Sequence, residues 1–188
     1  MVTGPSGVGK GTLIKRLRER LPDFDLSVSA TTRPPRPGEV DGRDYHFLTW
    51  EEFEQRLARG DFLEHAIYAG NMYGTPRSEL DRARERGRAL VLEIEVQGAR
   101  QVAEALPEAT QVFIAPPSED ALRERLEGRS TDSPEEIEKR LTRAREELAA
   151  GSEWQSTIVN DDLDRATDEL VELAATIGGR QSPEGANE

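Results

Sequence analysis

The feature that most constrains this chain is a glycine-rich segment with one lysine, close to the first residue. It reads Gly4-Pro5-Ser6-Gly7-Val8-Gly9-Lys10-Gly11-Thr12. The three residues before it are predicted to end a short strand, and Leu13, Ile14 and Leu17 follow it at helical spacing. A strand, a glycine loop and a helix N-terminus form the context in which backbone N–H groups bind a polyphosphate. The sequence therefore predicts a phosphate-binding loop, with Lys10 directed at the β- and γ-phosphates of a bound nucleotide.

The end of this loop departs from the general pattern. Ser or Thr usually follows the lysine and contacts Mg²⁺, but here Gly11 follows it and Thr12 comes one residue later. The Gly-Lys-Gly-Thr variant resembles the loop of nucleoside monophosphate kinases, in which the metal is held largely through water and the nucleotide. We therefore expect Mg²⁺ to be required together with ATP, and Thr12 to provide only a weak metal contact.

Length, charge and cysteine content exclude several classes of protein. The chain has 188 residues, which suits one core with small inserts. No apolar run approaches the roughly 20 residues of a membrane span, and the glycine loop occupies the place of a signal peptide. The absence of cysteine excludes disulfides and thiolate metal sites, and the net charge of −12 argues against a nucleic-acid partner. We expect a cytoplasmic protein with no membrane or nucleic-acid partner, either a monomer or a small homo-oligomer.

Strands and helices alternate along most of the chain, which predicts an α/β fold with a parallel sheet core flanked by helices. Strands are predicted at 25–30, 45–48, 62–68, 89–96, 111–115 and 157–160. Helices are predicted at 11–21, 77–86, 98–106, 120–127 and 163–177, with capping boxes starting two more at Thr49 and Ser133.

Two regions interrupt the alternation and predict the domain organisation. Residues 33–80 form a small insert, and residues 122–150 form a helical pair that suits a mobile lid. The core then comprises 1–32, 81–121 and 151–177, so that one domain covers 1–177, and 178–188 are expected to be a flexible tail.

The insert contains a group of phosphate-binding side chains. Arg33 and Arg36 lie among prolines, which stiffen the backbone around them. A guanidinium presents paired donors that match the oxygens of a phosphate. Tyr45 and Tyr73 add hydroxyl donors. Beside a phosphate loop, and in an acidic chain, these residues indicate a second phosphate site.

The motifs and their order resemble those of the guanylate kinase family. The resemblance implies a core of the P-loop NTPase type. The resemblance covers residues from Val2 to about Ile177. Its main motifs are Ser29-Ala30-Thr31-Thr32-Arg33-Pro34-Pro35-Arg36-Pro37-Gly38-Glu39, Gly42-Arg43-Asp44-Tyr45-His46-Phe47, Phe62-Leu63-Glu64, Tyr73-Gly74-Thr75, Val96-Gln97-Gly98-Ala99 and Ile158-Val159-Asn160-Asp161-Asp162-Leu163.

The resemblance implies ATP and GMP as substrates, with transfer of the γ-phosphoryl group to GMP, and dGMP as a further candidate. It implies that the insert binds GMP and that the following residues have roles. The GMP phosphate would be held by Arg33, Arg36, Tyr45 and Tyr73, and the guanine by Ser29, Glu64, Thr75 and Glu95. Arg129 and Arg140, with Lys10 and Arg33, would act on the transferring phosphoryl group, while Asn160 and Asp161 would lie near the adenine.

The chemistry of guanine supports the role of Glu64. Guanine presents N1–H and a 2-amino group, and one carboxylate accepts both, whereas adenine would leave that carboxylate unpaired. Such a site rejects the wrong base by up to ~10⁴–10⁵-fold. Family members often have aspartate at the positions of Glu93 and Glu95. We expect Glu93 to orient Mg²⁺ through water and Glu95 to contact guanine.

Three alternatives remain open from the sequence. The first is a nucleoside monophosphate kinase for AMP or a pyrimidine nucleotide, and the second is a related kinase of a phosphorylated sugar. The third is a non-catalytic guanylate kinase-like interaction module, which typically lacks the loop lysine or the GMP contacts. The presence of Lys10, Arg33 and Glu64 favours the catalytic guanylate kinase.

Overall fold

The computed structural model describes residues 1–68, 70–128, 133–149 and 154–178. In these ranges the chain forms nine strands and seven helices, and it divides into two compact units. The first unit comprises Met1–Asp23 and Thr110–Glu188, and the second comprises Phe24–Ala109. None of the helices in the described ranges combines the length and apolar character needed to cross a membrane.

The first unit is built on a parallel sheet of three strands in the order β1-β8-β9. Its strands are β1 (Val2–Thr3), β8 (Val112–Ala115) and β9 (Ser156–Val159), and its helices are α1 (Lys10–Arg20), α5 (Glu119–Glu127), α6 (Pro134–Ala149) and α7 (Leu163–Gly178). The central strand β8 is buried along its whole length, as expected for a parallel strand covered on both faces.

The helices of the first unit begin and pack for identifiable reasons. The Ser118 hydroxyl accepts the Ala121 N–H and caps α5. The Ser133 hydroxyl accepts the Glu136 N–H at 3.3 Å, at the start of α6. The two helices then share one apolar cluster, made of Leu122, Leu126, Ile137, Leu141 and Ala144.

The second unit contains a parallel pair of strands, β2 and β7, and a four-stranded sheet in the order β4-β3-β6-β5. Its strands are β2 (Phe24–Leu26), β3 (Ala30–Thr31), β4 (His46–Phe47), β5 (Phe62–Tyr68), β6 (Asn71–Pro76) and β7 (Ala89–Val91), and its helices are α2 (Trp50–Ala58), α3 (Arg77–Glu85) and α4 (Val96–Ala105). Phe53 of α2 stacks on Phe62 of β5, with ring centroids 4.4 Å apart, in the core of this unit.

The α/β fold with a parallel sheet core is confirmed, and most elements lie where the sequence predicts them. The capping box at Thr49 is complete, since its hydroxyl accepts the Glu52 N–H and the Glu52 carboxylate accepts the Thr49 N–H. β5 spans the predicted range, and α1 and α7 differ from their predicted bounds by one residue. The division into core, insert and lid is not tested by the grouping into units and stays a prediction. The predicted tail lies almost entirely outside the described residues.

Two predicted strands are wrong in extent. The run 25–30 is divided between β2 and β3, which belong to different sheets. The run 89–96 is a strand only as far as Val91, and α4 already begins at Val96. Leu92 and Ile94 are nevertheless buried. The alternation of apolar residues therefore predicts burial correctly, but a strand also needs a hydrogen-bonding partner along its length.

Candidate functional site

The phosphate loop joins β1 to α1, and its glycines are required by its shape. Gly4 has φ +142, and a Cβ there would lie 2.2 Å from the Ile114 carbonyl oxygen. Gly9, the residue before α1, has φ +102, and a Cβ there would lie 2.6 Å from Nδ2 of Asn160. Residues that carry a side chain rarely adopt such positive φ values. The loop can therefore pass close to β8 and Asn160 only with glycine at these positions.

Lys10 is the first residue of α1 and is 8% exposed. Its Nζ donates to the carbonyl oxygens of Gly4 at 2.6 Å and Pro5 at 3.3 Å. The ammonium group is therefore held by the loop that precedes it, beside the helix N-terminus. Both features favour an anion at this place.

The carbonyl of Val8 is fixed by two side chains from distant parts of the chain. Asn160 donates its Nδ2 at 2.8 Å, and Arg125 donates its Nη1 at 3.1 Å. Arg125 also donates Nη2 to the Asn160 carbonyl at 2.8 Å. These bonds fix the orientation of the peptide between Val8 and Gly9 in the middle of the loop.

Thr12 and Asp161 are exposed in the first unit. Thr12 lies in the first turn of α1, and Asp161 forms an ion pair with Arg165 that keeps the pKa of its carboxyl below the ordinary value. Arg140 lies on α6 and is half-buried, whereas Arg129 lies outside the described residues.

In the second unit, Arg33 is the centre of a charged and aromatic cluster. Its Nη2 donates to both carboxylate oxygens of Glu39, at 2.8 and 3.0 Å, and these bonds raise the pKa of Arg33. The guanidinium lies 5.4 Å from the ring centroid of Tyr45. The rings of Tyr45 and Tyr73 meet edge to face at 6.2 Å, and burial raises the pKa of Tyr45. A cation and two phenols are therefore assembled in one place.

Glu39 also orders the proline-rich segment. Its Oε2 accepts the backbone N–H of Arg36 at 2.6 Å, and the Arg36 carbonyl accepts the Glu39 N–H at 3.1 Å. The bonds to Arg33 and to the Arg36 N–H keep the pKa of Glu39 below its ordinary value. Arg36 itself is exposed at the start of this turn.

A buried carboxylate lies on the neighbouring strand. Glu64 is 5% exposed, and its Oε1 accepts the hydroxyl proton of Thr75 at 2.7 Å, directly across the β5–β6 ladder. Burial, the largest effect, raises the pKa of Glu64. Gly98 of α4 makes room for this group, because a Cβ there would lie 2.1 Å from Glu64 Oε2. The carboxylate is thus held between a hydroxyl donor and a helix without a side chain at the point of contact.

The remaining predicted residues of the second unit lie on connections. Ser29 lies between β2 and β3, and its carbonyl accepts the His46 N–H at 2.9 Å. Glu93 and Glu95 follow β7 and are half-buried. After burial, which is the largest cause, the charge of Glu93 further raises the pKa of Tyr45. In the same way, the charge of Glu95 further raises the pKa of Glu64. Glu95 is also the residue before the first turn of α4.

Three contributors to the site are not predicted by the sequence motifs. Glu39 ends one of these motifs, and an acidic residue three positions after Arg36 is a signal for a turn in which its carboxylate accepts the Arg36 N–H. Gly98 was also part of a motif, and a glycine inside a helix signals close approach of another group. Arg125 had no local signal, because it reaches Val8 across 117 positions of the chain.

In the described part of the chain, no group of three or more His, Cys, Asp or Glu side chains is arranged to hold a metal ion. The oxygen donors predicted for Mg²⁺ are the exposed hydroxyl of Thr12 and the half-buried carboxylate of Glu93. Hydroxyl and carboxylate oxygens are of the type that Mg²⁺ accepts, and this ion usually keeps several waters and nucleotide oxygens as ligands.

Comparison with known proteins gives a consistent result. A family model described as guanylate kinase matches residues 1–176. A guanylate kinase of Synechocystis sp. is 53% identical over 173 residues, which are 92% of this chain and 91% of the relative. A guanylate kinase of Frankia casuarinae is 54% identical over 173 residues, covering 92% of this chain and 94% of the relative. The crystal structure of guanylate kinase from Anaplasma phagocytophilum is similar with a TM-score of 0.75 and 31% identity, covering 98% of this chain and 87% of that one.

Proposed function

The chain belongs to the guanylate kinase family and transfers a phosphoryl group from ATP to GMP, giving ADP and GDP, and from this premise we propose which of its residues perform the reaction. Phosphoryl transfer depends on positioning and charge neutralisation more than on covalent chemistry. The GMP phosphate is already an anion, so the enzyme needs no general base.

The phosphate loop holds the β- and γ-phosphates of ATP. Its backbone N–H groups and the N-terminus of α1 attract the polyphosphate. Lys10 exchanges its bonds to the Gly4 and Pro5 carbonyls for phosphate oxygens, and it offsets the charge that develops on the transferring group. Arg125 and Asn160 keep the Val8 peptide in the orientation that the loop needs.

The GMP phosphate is bound by Arg33, Arg36, Tyr45 and Tyr73. Arg33 is held against Tyr45 by the ion pair with Glu39, so its position is set before the nucleotide arrives. Its guanidinium presents paired N–H donors of the kind that match two phosphate oxygens. The phenol groups of Tyr45 and Tyr73 donate hydrogen bonds to the same phosphate.

Glu64 is the main reader of the guanine base, and it carries the choice of GMP over other nucleotides. It accepts the guanine N1–H and 2-amino protons while Thr75 holds its Oε1. The observation that supports this role most strongly is its burial: Glu64 is 5% exposed, its side chain accepts a hydrogen bond from Thr75, and in the described ranges it forms no ion pair with a cation. A buried carboxylate in such surroundings costs stability unless a ligand supplies donors. Ser29 and Glu95 complete the guanine contacts.

Two residues would hold Mg²⁺ when it accompanies ATP, Glu93 through water and Thr12 weakly, while the nucleotide and water would supply its other ligands. When bound, the ion neutralises charge on the phosphates. This accords with the oxygen chemistry of the two residues.

The segment 122–150 acts as a lid that keeps water away from ATP, since water would otherwise compete with GMP as the acceptor. Arg129 and Arg140 of this segment offset charge on the transferring group. Asn160 and Asp161 lie near the adenine. We place the enzyme in the cytoplasm, as a monomer or small homo-oligomer, and include dGMP as a second acceptor.

An ADP-release assay with MgATP and a panel of GMP, dGMP, AMP, CMP and UMP tests these assignments. Turnover with GMP, or with GMP and dGMP alone, is the expected result. Turnover with AMP or a pyrimidine nucleotide would contradict the role of Glu64. ATP binding without turnover of any nucleotide would instead favour a non-catalytic interaction module.

A further inference from the structure

Glu79 is a buried carboxylate outside the proposed set of substrate contacts. It lies in the first turn of α3, whose other buried residue is the small Ala83, and it is 6% exposed. A glutamate at this position of a helix ordinarily stays at the surface, where it interacts with the N–H groups of its own first turn. Here the side chain points inward and contacts a segment 51 positions earlier in the chain.

The contacts of Glu79 involve two other segments of the second unit. Its Oε2 accepts the backbone N–H of Val28 at 2.9 Å. Its Oε1 lies 3.0 Å from Nη1 of Arg82 and 3.6 Å from Nε2 of His46. Val28 lies on the connection between β2 and β3, so the carboxylate supplies an acceptor for a backbone donor in this connection.

Both segments carry residues that are assigned to GMP. Val28 precedes Ser29, a proposed guanine contact, and His46 follows Tyr45, a proposed phosphate contact. The two segments are also joined directly, because the His46 N–H donates to the Ser29 carbonyl at 2.9 Å. The Glu79 carboxylate therefore contacts both the segment of the proposed guanine contact Ser29 and the segment of the proposed phosphate contact Tyr45.

A purely structural role does not account well for the way Glu79 is held. In the described part of the chain, its Oε1 is buried and accepts no hydrogen bond of good geometry, although Arg82 and His46 lie close to it. A buried carboxylate with one oxygen incompletely satisfied costs stability, and an apolar residue of similar volume would often serve the core as well. What an apolar residue would not provide is an acceptor for the Val28 N–H.

We propose that Glu79 is a positioning residue for GMP, which fixes the Ser27–Val28 peptide and the strand of His46 so that Ser29 and Tyr45 are in place before GMP binds. The proposal rests on the assignment of Ser29 and Tyr45 to the GMP site. Its consequence is selective, since the partners of Glu79 in the described residues, Val28, His46 and Arg82, all belong to the second unit, whereas the residues assigned to ATP belong to the first. Loss of Glu79 weakens GMP binding and leaves ATP binding unchanged.

The test uses two variants and one matched control. Glu79→Gln keeps the shape and one acceptor but removes the charge, and Glu79→Ala removes the acceptor. Asp25→Asn is the control, because Asp25 lies in the same unit, accepts a hydrogen bond from Arg88 Nε at 2.8 Å, and has no assigned contact with GMP. The kcat and the KM for GMP and for ATP are measured for each protein, together with urea unfolding.

We expect Glu79→Ala to raise the KM for GMP about tenfold or more, because a hydrogen bond to a charged acceptor is lost. Glu79→Gln should recover part of that loss, while the KM for ATP stays within about twofold of wild type in all variants. Asp25→Asn should leave the KM for GMP unchanged.

Three results would overturn the proposal. These are an unchanged KM for GMP in Glu79→Gln and Glu79→Ala, an equal rise of the KM values for GMP and ATP, or a rise in Asp25→Asn as large as in Glu79→Gln. If Glu79→Ala fails to fold, the milder Glu79→Gln variant decides alone. The wild-type protein is measured in the same assay, so an absence of GMP turnover there would count against the enzyme's assigned reaction and not against Glu79.

Discussion

Replacing Glu64 with Gln tests the guanine site most directly, because the two side chains have nearly the same size. Glu64 is 5% exposed and one oxygen is already used by Thr75. The variant loses the carboxylate that is proposed to accept two guanine donors, and its amide N–H₂ group would face one of them. Each hydrogen bond to a charged group contributes about 1.5–3 kcal/mol. The expected loss is therefore about 3–6 kcal/mol, or roughly 10²–10⁴-fold in kcat/KM for GMP.

The same variant is expected to change stability in the opposite direction. Burial raises the pKa of Glu64 above its ordinary value of 4.5. The folded protein therefore binds the Glu64 proton more tightly than the unfolded chain does, and the free energy of unfolding falls as pH rises from 4.5 through the raised pKa. Glu64→Gln lacks this dependence, so without nucleotide it should gain stability relative to wild type over that pH range.

The assay combines ADP release with urea unfolding at a series of pH values from acid to neutral. Glu147→Gln is the stability control, because Glu147 is also buried but forms an ion pair with Arg143 at 3.2 Å. Breaking that pair should lower stability at neutral pH. A Glu64→Gln protein that loses GMP and ATP use equally, or that is less stable than wild type at neutral pH, would refute the reasoning.

Further predictions concern the loop, the helix behind Glu64 and the acid side of the pH profile. Lys10→Ala should lower kcat by about 10²–10³-fold or more with an unchanged circular dichroism spectrum, since it removes a charge that acts on the transferring group; unchanged turnover would contradict the role. Arg125→Ala should raise the KM for ATP and not that for GMP, because it frees the Val8 carbonyl from one of its two side-chain donors; a change confined to GMP would be inconsistent with this. Gly98→Ala places a Cβ 2.1 Å from Glu64 Oε2, so we expect a loss of about 1–3 kcal/mol in unfolding free energy and a raised KM for GMP. Wild-type values of both quantities would contradict a requirement for glycine at this contact. The KM for GMP should rise as pH falls through the raised pKa of Glu64, because guanine binds the ionised form; a KM that stays level down to pH 4.5 would contradict the direction of that shift.

Features that depend on neighbouring residues were predictable from the sequence. The phosphate loop, the capping box at Thr49 and the strand Phe62–Tyr68 each follow from residue types within a few positions of one another. The resemblance to guanylate kinases, carried by several such local motifs in order, gave the family that the comparisons confirm. The individual site roles remain predictions, since they depend on ligands.

The length of β7 shows where local patterns stop being sufficient. Leu92 and Ile94 continue the apolar alternation and are buried, yet the strand ends at Val91. The burial of Leu92 and Ile94 follows from their apolar side chains, which the sequence displays directly. A strand is decided by a second strand that offers donors and acceptors in register, and the local sequence does not display its partner.

The sequence by itself determined the class of fold, the loop that binds phosphate and the residue types available for the reaction, because these depend on local periodicity, glycine spacing and charge. Only the tertiary structure decided which groups meet. It pairs Glu39 with Arg33, places Arg125 on the Val8 carbonyl and turns Glu79 toward the Val28 N–H. The physical reason is that a buried polar group must find a partner wherever the folded backbone brings one. Arg125 and Val8 are 117 positions apart in the chain, and Glu79 and Val28 are 51 positions apart.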